Sequence, residues 1–232
     1  MTKIEKLQRW LLYTSVGRYV LRNERILFNN SVAKIFGYYS LQFGLKDINL
    51  LQGNKISNHY VISNDILADF ENLPIASSSI DLIVCAHILD FNDNYENILE
   101  ECHRVLVPNG KLLISGFNKT SLFTLFGKKQ DILKDANIIS LSTLKEYLSS
   151  LQFNIKAGSF FCYAPPIDNN ATLSRMSWVE KIGNRWFPTL SSNYFLVVEK
   201  KVVSPTIITP GRSSINTEEF QLGTVNSCNK NI

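Results

Sequence analysis

The stretch from Ser79 to Phe117 restricts the possible folds more than any other part of the chain. Ser79 to Ala86 (SIDLIVCA) is a continuous β-branched apolar run, the pattern of a strand covered on both faces. From Asn92 to Leu106, the apolar residues Ile98, Leu99, Cys102, Val105 and Leu106 recur at helical spacing. Asn92 is placed to cap that helix, and Pro108-Asn109-Gly110 supplies a tight turn that stops it. Lys111 to Phe117 (KLLISGF) is a second buried strand. Strand, helix, turn and strand in this order make a βαβ unit, and with it a parallel sheet in an α/β fold.

The flanking segments extend this pattern. Residues 4 to 35 read as helical, with Gly17 and the Asn29-Asn30-Ser31 cluster as breaks. Short strands are expected at Tyr38–Gly44 and His59–Ser63, and longer ones at Phe153–Tyr163 and Asn193–Lys200. A helix starts at Ser140 or Ser142 and runs to about Leu151. Residues 119 to 138 form an irregular, partly helical excursion. The expected organisation is one domain over 1–202, with a helical N-terminal segment at 1–36 and an insertion at 164–191. A polar tail at 203–232, rich in Ser, Thr, Asn and Pro, is expected to be disordered. With 232 residues, 45% of them hydrophobic, the chain can bury a large core without disulfides or metal.

Several function classes are disfavoured. The 24 basic and 20 acidic residues are scattered, giving a net charge of only +4 and no stripe for a phosphate backbone. The four cysteines, Cys85, Cys102, Cys162 and Cys228, form no CxxC pair, and Cys85 and Cys102 read as buried, reduced thiols. No apolar run is long enough to span a membrane. The N-terminus lacks the continuous apolar region of a signal peptide, so a cytoplasmic protein is expected. No His is paired with carboxylates at metal-ligand spacing, and no metal site is expected.

Within residues 68–117 six elements recur at fixed spacing: Asp69; Leu73-Pro74-Ile75; Asp81-Leu82-Ile83-Val84; Arg104-Val105-Leu106; Pro108; and Gly110. This constellation resembles the core of class I S-adenosylmethionine-dependent methyltransferases of the type 11 sort. The Gly116-Phe117-Asn118 that follows is similar to a bacterial subgroup of small methyltransferase-domain proteins. The resemblance implies a Rossmann-like, seven-stranded, mostly parallel sheet with helices on both faces and an antiparallel final strand pair. It also implies S-adenosylmethionine as cofactor, bound across the carboxyl ends of the strands at the topological switch point.

Carried over residue by residue, the resemblance gives Gly44, Asp65, Asp69 and Leu73 as donor contacts. Gly44 matches the first glycine of the turn after strand one, but Leu45 and Lys46 stand where Gly-x-Gly would continue. Asp65 stands near the spacing expected of a ribose ligand, and Asp69 would accept from the adenine amino group. Asp69 follows so closely that the second and third strands must be compressed. His87, after the strand SIDLIVCA, is expected at the site mouth as a general base or substrate contact. The alternative is a histidine bonded to a neighbouring loop. Asn118 could orient an acceptor or cap a turn, while Arg104 with Glu100 or Glu101 suits a helix ion pair. Methyl transfer from an activated sulfonium needs mainly positioning and exclusion of water. The reading is therefore a methyltransferase acting on a small molecule. The replaced glycines motivate a second one, a degenerate, non-catalytic binding or scaffold protein on the same fold.

Overall fold

The computed structural model describes residues 1–62, 65–121, 123–124, 131–163 and 191–202. The expected insertion, apart from Ser191, and the expected tail lie outside the described residues, as do Trp178, Trp186, Phe187 and Cys228.

The helical N-terminal segment is two helices, α1 (Lys3–Tyr13) and α2 (Ser15–Val32). The break falls at Thr14, not at Gly17, and Asn29–Ser31 stay helical. Thr14 ends one helix and caps the next: its hydroxyl donates to the Trp10 carbonyl at 2.8 Å and accepts from Gly17 N at 2.9 Å. Gly17 belongs to a close approach, because a Cβ there would lie 2.1 Å from the Trp10 carbonyl oxygen. Thr2 and Glu5 form a reciprocal capping box at the start of α1.

Six strands follow: β1 (Tyr39–Phe43), β2 (Asn58–Ile62), β3 (Ile80–Ala86), β4 (Leu106–Phe117), β5 (Phe153–Phe161) and β6 (Asn193–Lys200). The sheet order is β2-β1-β3-β4-β6-β5. β1, β2, β3 and β4 are mutually parallel, and β6 runs antiparallel to both β4 and β5. Among the described residues, further helices are α3 (Tyr95–Val105), α4 (Asp131–Lys134) and α5 (Leu141–Ser150), with a 3-10 turn at Leu89–Phe91. The N-cap of α3 is Asn94; Asn92 instead donates to the Ile88 carbonyl at 2.7 Å.

The count of seven strands is corrected to six among the described residues. Where the extra strand was expected, between β2 and β3, only two isolated bridges occur, Ile62 with Ile66 and Asp69 with Asn72. The sequence there is too short to leave the sheet, return and still place Leu73 under α3. That compression is the one anticipated from the closeness of Asp65 and Asp69.

The alternation of the strands divides the core between two faces. Leu82, Val84, Ala86, Leu113 and Phe117 pack with Leu7 and Leu11 of α1 and Val20, Leu21 and Phe28 of α2. Leu41, Phe43, Ile83, Cys85, Leu112 and Ile114 pack with Ile98, Leu99 and Cys102 of α3 and Leu144 and Leu148 of α5. Cys85, Cys102 and Cys162 are buried free thiols, and burial pushes the Cys85 thiol well up.

No helix joins β1 to β2. A parallel crossover normally uses one, but here Leu45, Ile48, Leu50, Leu51 and Ile56 of the connection pack directly beneath α1 and α2. The buried Gln42 side chain supplies the hydrogen bonds that a helix would have made internally. Its amide nitrogen donates to the carbonyls of Gly44 (3.2 Å), Leu45 (3.3 Å) and Ile48 (2.7 Å), and its oxygen accepts from Leu50 N at 2.8 Å.

The motif residues have structural work. Arg104 makes a bidentate pair with Glu101, 2.8 Å at each contact, and donates to the carbonyls of Leu73 (3.1 Å) and Ile75 (2.9 Å). Glu101 also accepts from Leu73 N at 3.1 Å, so α3 clasps the Leu73-Pro74-Ile75 turn. Hydrogen bonding from Arg104 holds the Glu101 carboxyl below its ordinary value. Asp81 accepts from the amides of Tyr38 (2.7 Å) and Tyr39 (3.0 Å) and so fixes the entry to β1.

Candidate active site

The chain leaves β1 toward β2 on one side and later returns as β3 on the other, so β1 and β3 flank the topological switch point. In such sheets the crevice outside the carboxyl ends of these two strands is the ligand site. Gly44 follows β1 and His87 follows β3, and both adopt left-handed backbone, with φ of 61° and 57°.

Gly44 needs its conformation and its lack of a side chain. A Cβ there would lie 2.7 Å from Ile88 Cδ1 and 3.2 Å from Ile4 Cγ2. Next to it, Leu45 is also left-handed at φ 52° and turns its side chain into the core beneath α1 and α2. Leu45, where the glycine would stand, is therefore a buried anchor that also borders the crevice. A cavity of about 220 Å³ remains beside Gly44, lined by Ile4, Glu5 and Gln8 from α1 and by Leu45, Lys46 and Phe70. Phe70 stacks on Phe43 with ring centroids 5.3 Å apart.

The two acidic candidates stand at the same end of the sheet, exposed, and engaged with local backbone. Asp65 accepts from Val61 N at 2.7 Å, and Asp69 accepts from Glu71 N at 3.3 Å in an Asx turn. Leu73 is buried in the same apolar cluster as Phe70. Asn118 is buried; it donates to the Ser191 carbonyl at 3.0 Å and accepts from Thr120 N at 3.2 Å, the turn-capping alternative. It borders a second cavity, of about 250 Å³, with Thr120, Ser140, Lys145 and Phe160 at the carboxyl end of β4.

His87 does not reach the site mouth. It is fully buried, which corrects the expectation of an exposed base. The reason is the helical segment in front of β1: α2 lays Glu24 over the end of β3 and closes the imidazole in. His87 Nε2 faces Glu24 Oε1 at 3.4 Å, and Nδ1 faces Asp90 Oδ2 at 3.2 Å. Its ring lies 4.3 Å from that of Phe117, and the Asn193 amide nitrogen is 3.4 Å from Nε2. Ser115 donates to Glu24, and Asp90 accepts from Phe117 N at 2.8 Å. Glu24 Oε2, Asp90 Oδ1, Asn193 Oδ1 and the Tyr194 hydroxyl have no hydrogen-bond partner among the described residues.

Burial raises the Glu24 and Asp90 carboxyls above their ordinary values, against the pull of His87. Burial by itself would lower His87, but the facing carboxylates outweigh it and hold the imidazole above its ordinary value. Glu24 and Gln42 were missed in the sequence. The available signal for Glu24 was its position between Leu21 and Phe28 on the buried stripe of α2. Among the described residues, no group of three His, Cys, Asp or Glu could hold a metal ion. No helix there is long and apolar enough to cross a membrane.

Comparison with known proteins agrees with this geometry. Residues 46–114 match the family described as methyltransferase domain. The uncharacterized protein YafS of Escherichia coli is 26% identical over 85% of this chain and 83% of its own length. A SAM-dependent methyltransferase of Thermotoga maritima, described as a possible histamine N-methyltransferase, superposes with a TM-score of 0.58 at 16% identity. That match covers 85% of this chain and 96% of the other. A SAM-dependent methyltransferase of Archaeoglobus fulgidus gives 0.54 at 18% identity, over 76% and 94% of the two chains. The chain thus has the Rossmann-like fold of the class I methyltransferases, and its residues 46–114 match a methyltransferase-domain model. The cofactor of that class is S-adenosylmethionine.

Proposed function

We infer that this protein is an S-adenosylmethionine-dependent methyltransferase whose acceptor is a small molecule. The observation that carries the reading is the left-handed Gly44 turn at the switch point, immediately before the matched domain segment. The chemistry around the cavity suits the donor. Gly44 offers bare backbone and Phe70 an aromatic face, and Asp65 and Asp69 are exposed carboxylates at the same end of the sheet, suited to accept from hydroxyl and amino groups. When bound, the donor supplies a methyl group already activated on a sulfonium. The tasks left to this chain are to hold, orient and exclude water.

His87 contributes as a positioning residue. Its backbone N donates to the Ser115 carbonyl at 2.8 Å, and with Asp90 and Glu24 it fixes the ends of β3 and β4 against α2. Asn118 and the cavity beside it favour acceptor entry from the carboxyl end of β4, and its size favours a small acceptor over a macromolecule. A cytoplasmic setting goes with this reading and is supported by the three buried free thiols.

The test is transfer of a radiolabelled methyl group from S-adenosylmethionine into a fractionated cell extract by the purified protein. Label is expected in the low-molecular-weight fraction. Label confined to protein or nucleic acid would overturn the small-molecule acceptor. No transfer into any fraction would favour the non-catalytic alternative on this fold.

A further inference from the structure

The cavity at the carboxyl end of β4 carries charge of one sign. It holds about 250 Å³, and Lys119 reaches its lining from the turn after β4, Lys145 from the second turn of α5. Ser140 and Ser142 add hydroxyls, Leu141 and Phe160 an apolar part, and no carboxylate of the described residues lines it. Nor does either lysine pair with a carboxylate elsewhere among the described residues. The cavity beside Gly44, by contrast, carries both signs, Glu5 and Lys46. We propose that the β4 cavity binds an anionic group, a carboxylate or a phosphate, and that the methyl acceptor is a small molecule anchored by that group. This proposal rests on the donor reading above and adds the chemical class of the acceptor.

Local structure fixes the backbone that carries both lysines. The buried Asn118 side chain accepts from Thr120 N at 3.2 Å and from the Thr120 hydroxyl at 3.0 Å, which clamps the turn holding Lys119. Ser140 caps α5 by accepting from Thr143 N at 3.1 Å. The first turn of α5 contains no acidic residue, so its partial positive charge adds to that of the lysines. The anion is an anchor and not the group that is methylated. Pockets that enclose a whole ligand measure roughly 300–1,000 Å³, so this cavity takes one end of an acceptor. Phe160 sets one wall on β5, three places from β3 in the sheet. At the usual strand spacing that wall stands roughly 14 Å from β3. Asn118, on another wall, follows β4, the direct neighbour of β3, so the rest of the acceptor can extend to the donor crevice. An acceptor held in this way keeps its negative charge after transfer.

Titration of the nitrogen-15-labelled full chain with inorganic phosphate and, separately, with sodium acetate tests the site, read by NMR at the Lys119 and Ser142 amides. Saturable shifts are expected with at least one anion at low ionic strength, with half-saturation on the order of 1–10 mM. The tighter of the two anions names the charged group of the acceptor. The double variant Lys119→Ala/Lys145→Ala is expected to lose affinity at least about tenfold. Lys34→Ala, at an exposed lysine outside the cavity, is expected to keep it. Shifts absent with both anions, or unchanged in the double variant, would overturn the anion site. In the extract assay the labelled product is expected to be retained on an anion exchanger at pH 8. Label only in neutral or cationic small molecules would overturn the anionic acceptor and leave the donor reading standing. Failure of wild type to bind S-adenosylhomocysteine would overturn the donor reading, and with it the anchoring role, whatever phosphate and acetate do.

Discussion

Replacing His87 with alanine is expected to destabilise the protein by about 3–5 kcal/mol at pH 8, and by clearly less at pH 5. The imidazole is the only cation in contact with the buried Glu24 and Asp90 carboxylates among the described residues. Without it, two acids remain in the core with no positive partner. At low pH they escape that penalty by taking up protons; at high pH they must either ionise unpaired or hold protons against the solvent. The wild-type cluster already leans this way, since all three folded-state values are raised. Between the unfolded and folded values the native cluster binds more protons than the unfolded chain, so stability falls as pH rises. The carboxyl contribution begins to be lost above about pH 4 and that of the imidazole above about pH 6.5. Urea unfolding of both proteins at the two pH values measures the effect. A loss under about 1 kcal/mol at pH 8, or the same loss at both pH values, would show that the cluster is not coupled as described.

Gln42→Leu is expected to cost about 3 kcal/mol, because leucine fills a similar space but makes none of the four hydrogen bonds. The buried N–H of Leu50 and the carbonyl of Ile48 would lose the Gln42 partner inside the core, while the Leu45 carbonyl would keep only the Ile48 N–H. Since this connection has no helix, no neighbouring backbone group stands ready to replace the amide. The loss should appear as a lower urea midpoint with unchanged slope, together with faster hydrogen exchange at the Leu50 amide. A midpoint close to wild type would mean that the connection holds its shape without Gln42. The same variant should also weaken donor binding, because Gln42 sets the turn containing Gly44 and Leu45.

The parts of the fold legible in the sequence are those with local signals. The run SIDLIVCA could only be a strand buried on both faces, and α3 carried its own period and stop. The Leu73-Pro74 turn and Arg104 were recognisable only as separate elements of one constellation, and the structure joins them: the guanidinium holds two turn carbonyls and a carboxylate. The parts that were not legible depend on contacts distant in sequence. Nothing near His87 reveals that Glu24 faces it, and the same histidine would line an open crevice if α1 and α2 lay elsewhere. Leu45 looks in the sequence like a lost glycine, whereas in the structure it is a core residue made necessary by the helix-free crossover. Thr14 rather than Gly17 breaks the N-terminal helices because a hydroxyl can serve both helix ends, while the glycine is needed for close packing.

Donor binding in the crevice between β1 and β3 is tested most directly by calorimetric titration of S-adenosylhomocysteine into wild type and Gly44→Ala. A methyl group at position 44 would meet Ile88 and Ile4 and would strain a backbone held at φ 61°. One-site binding to wild type is expected, with a dissociation constant on the order of 10 μM, and affinity at least about tenfold weaker in the variant. No heat from wild type at about 100 μM protein, or equal affinity in the two proteins, would contradict a donor site built on Gly44.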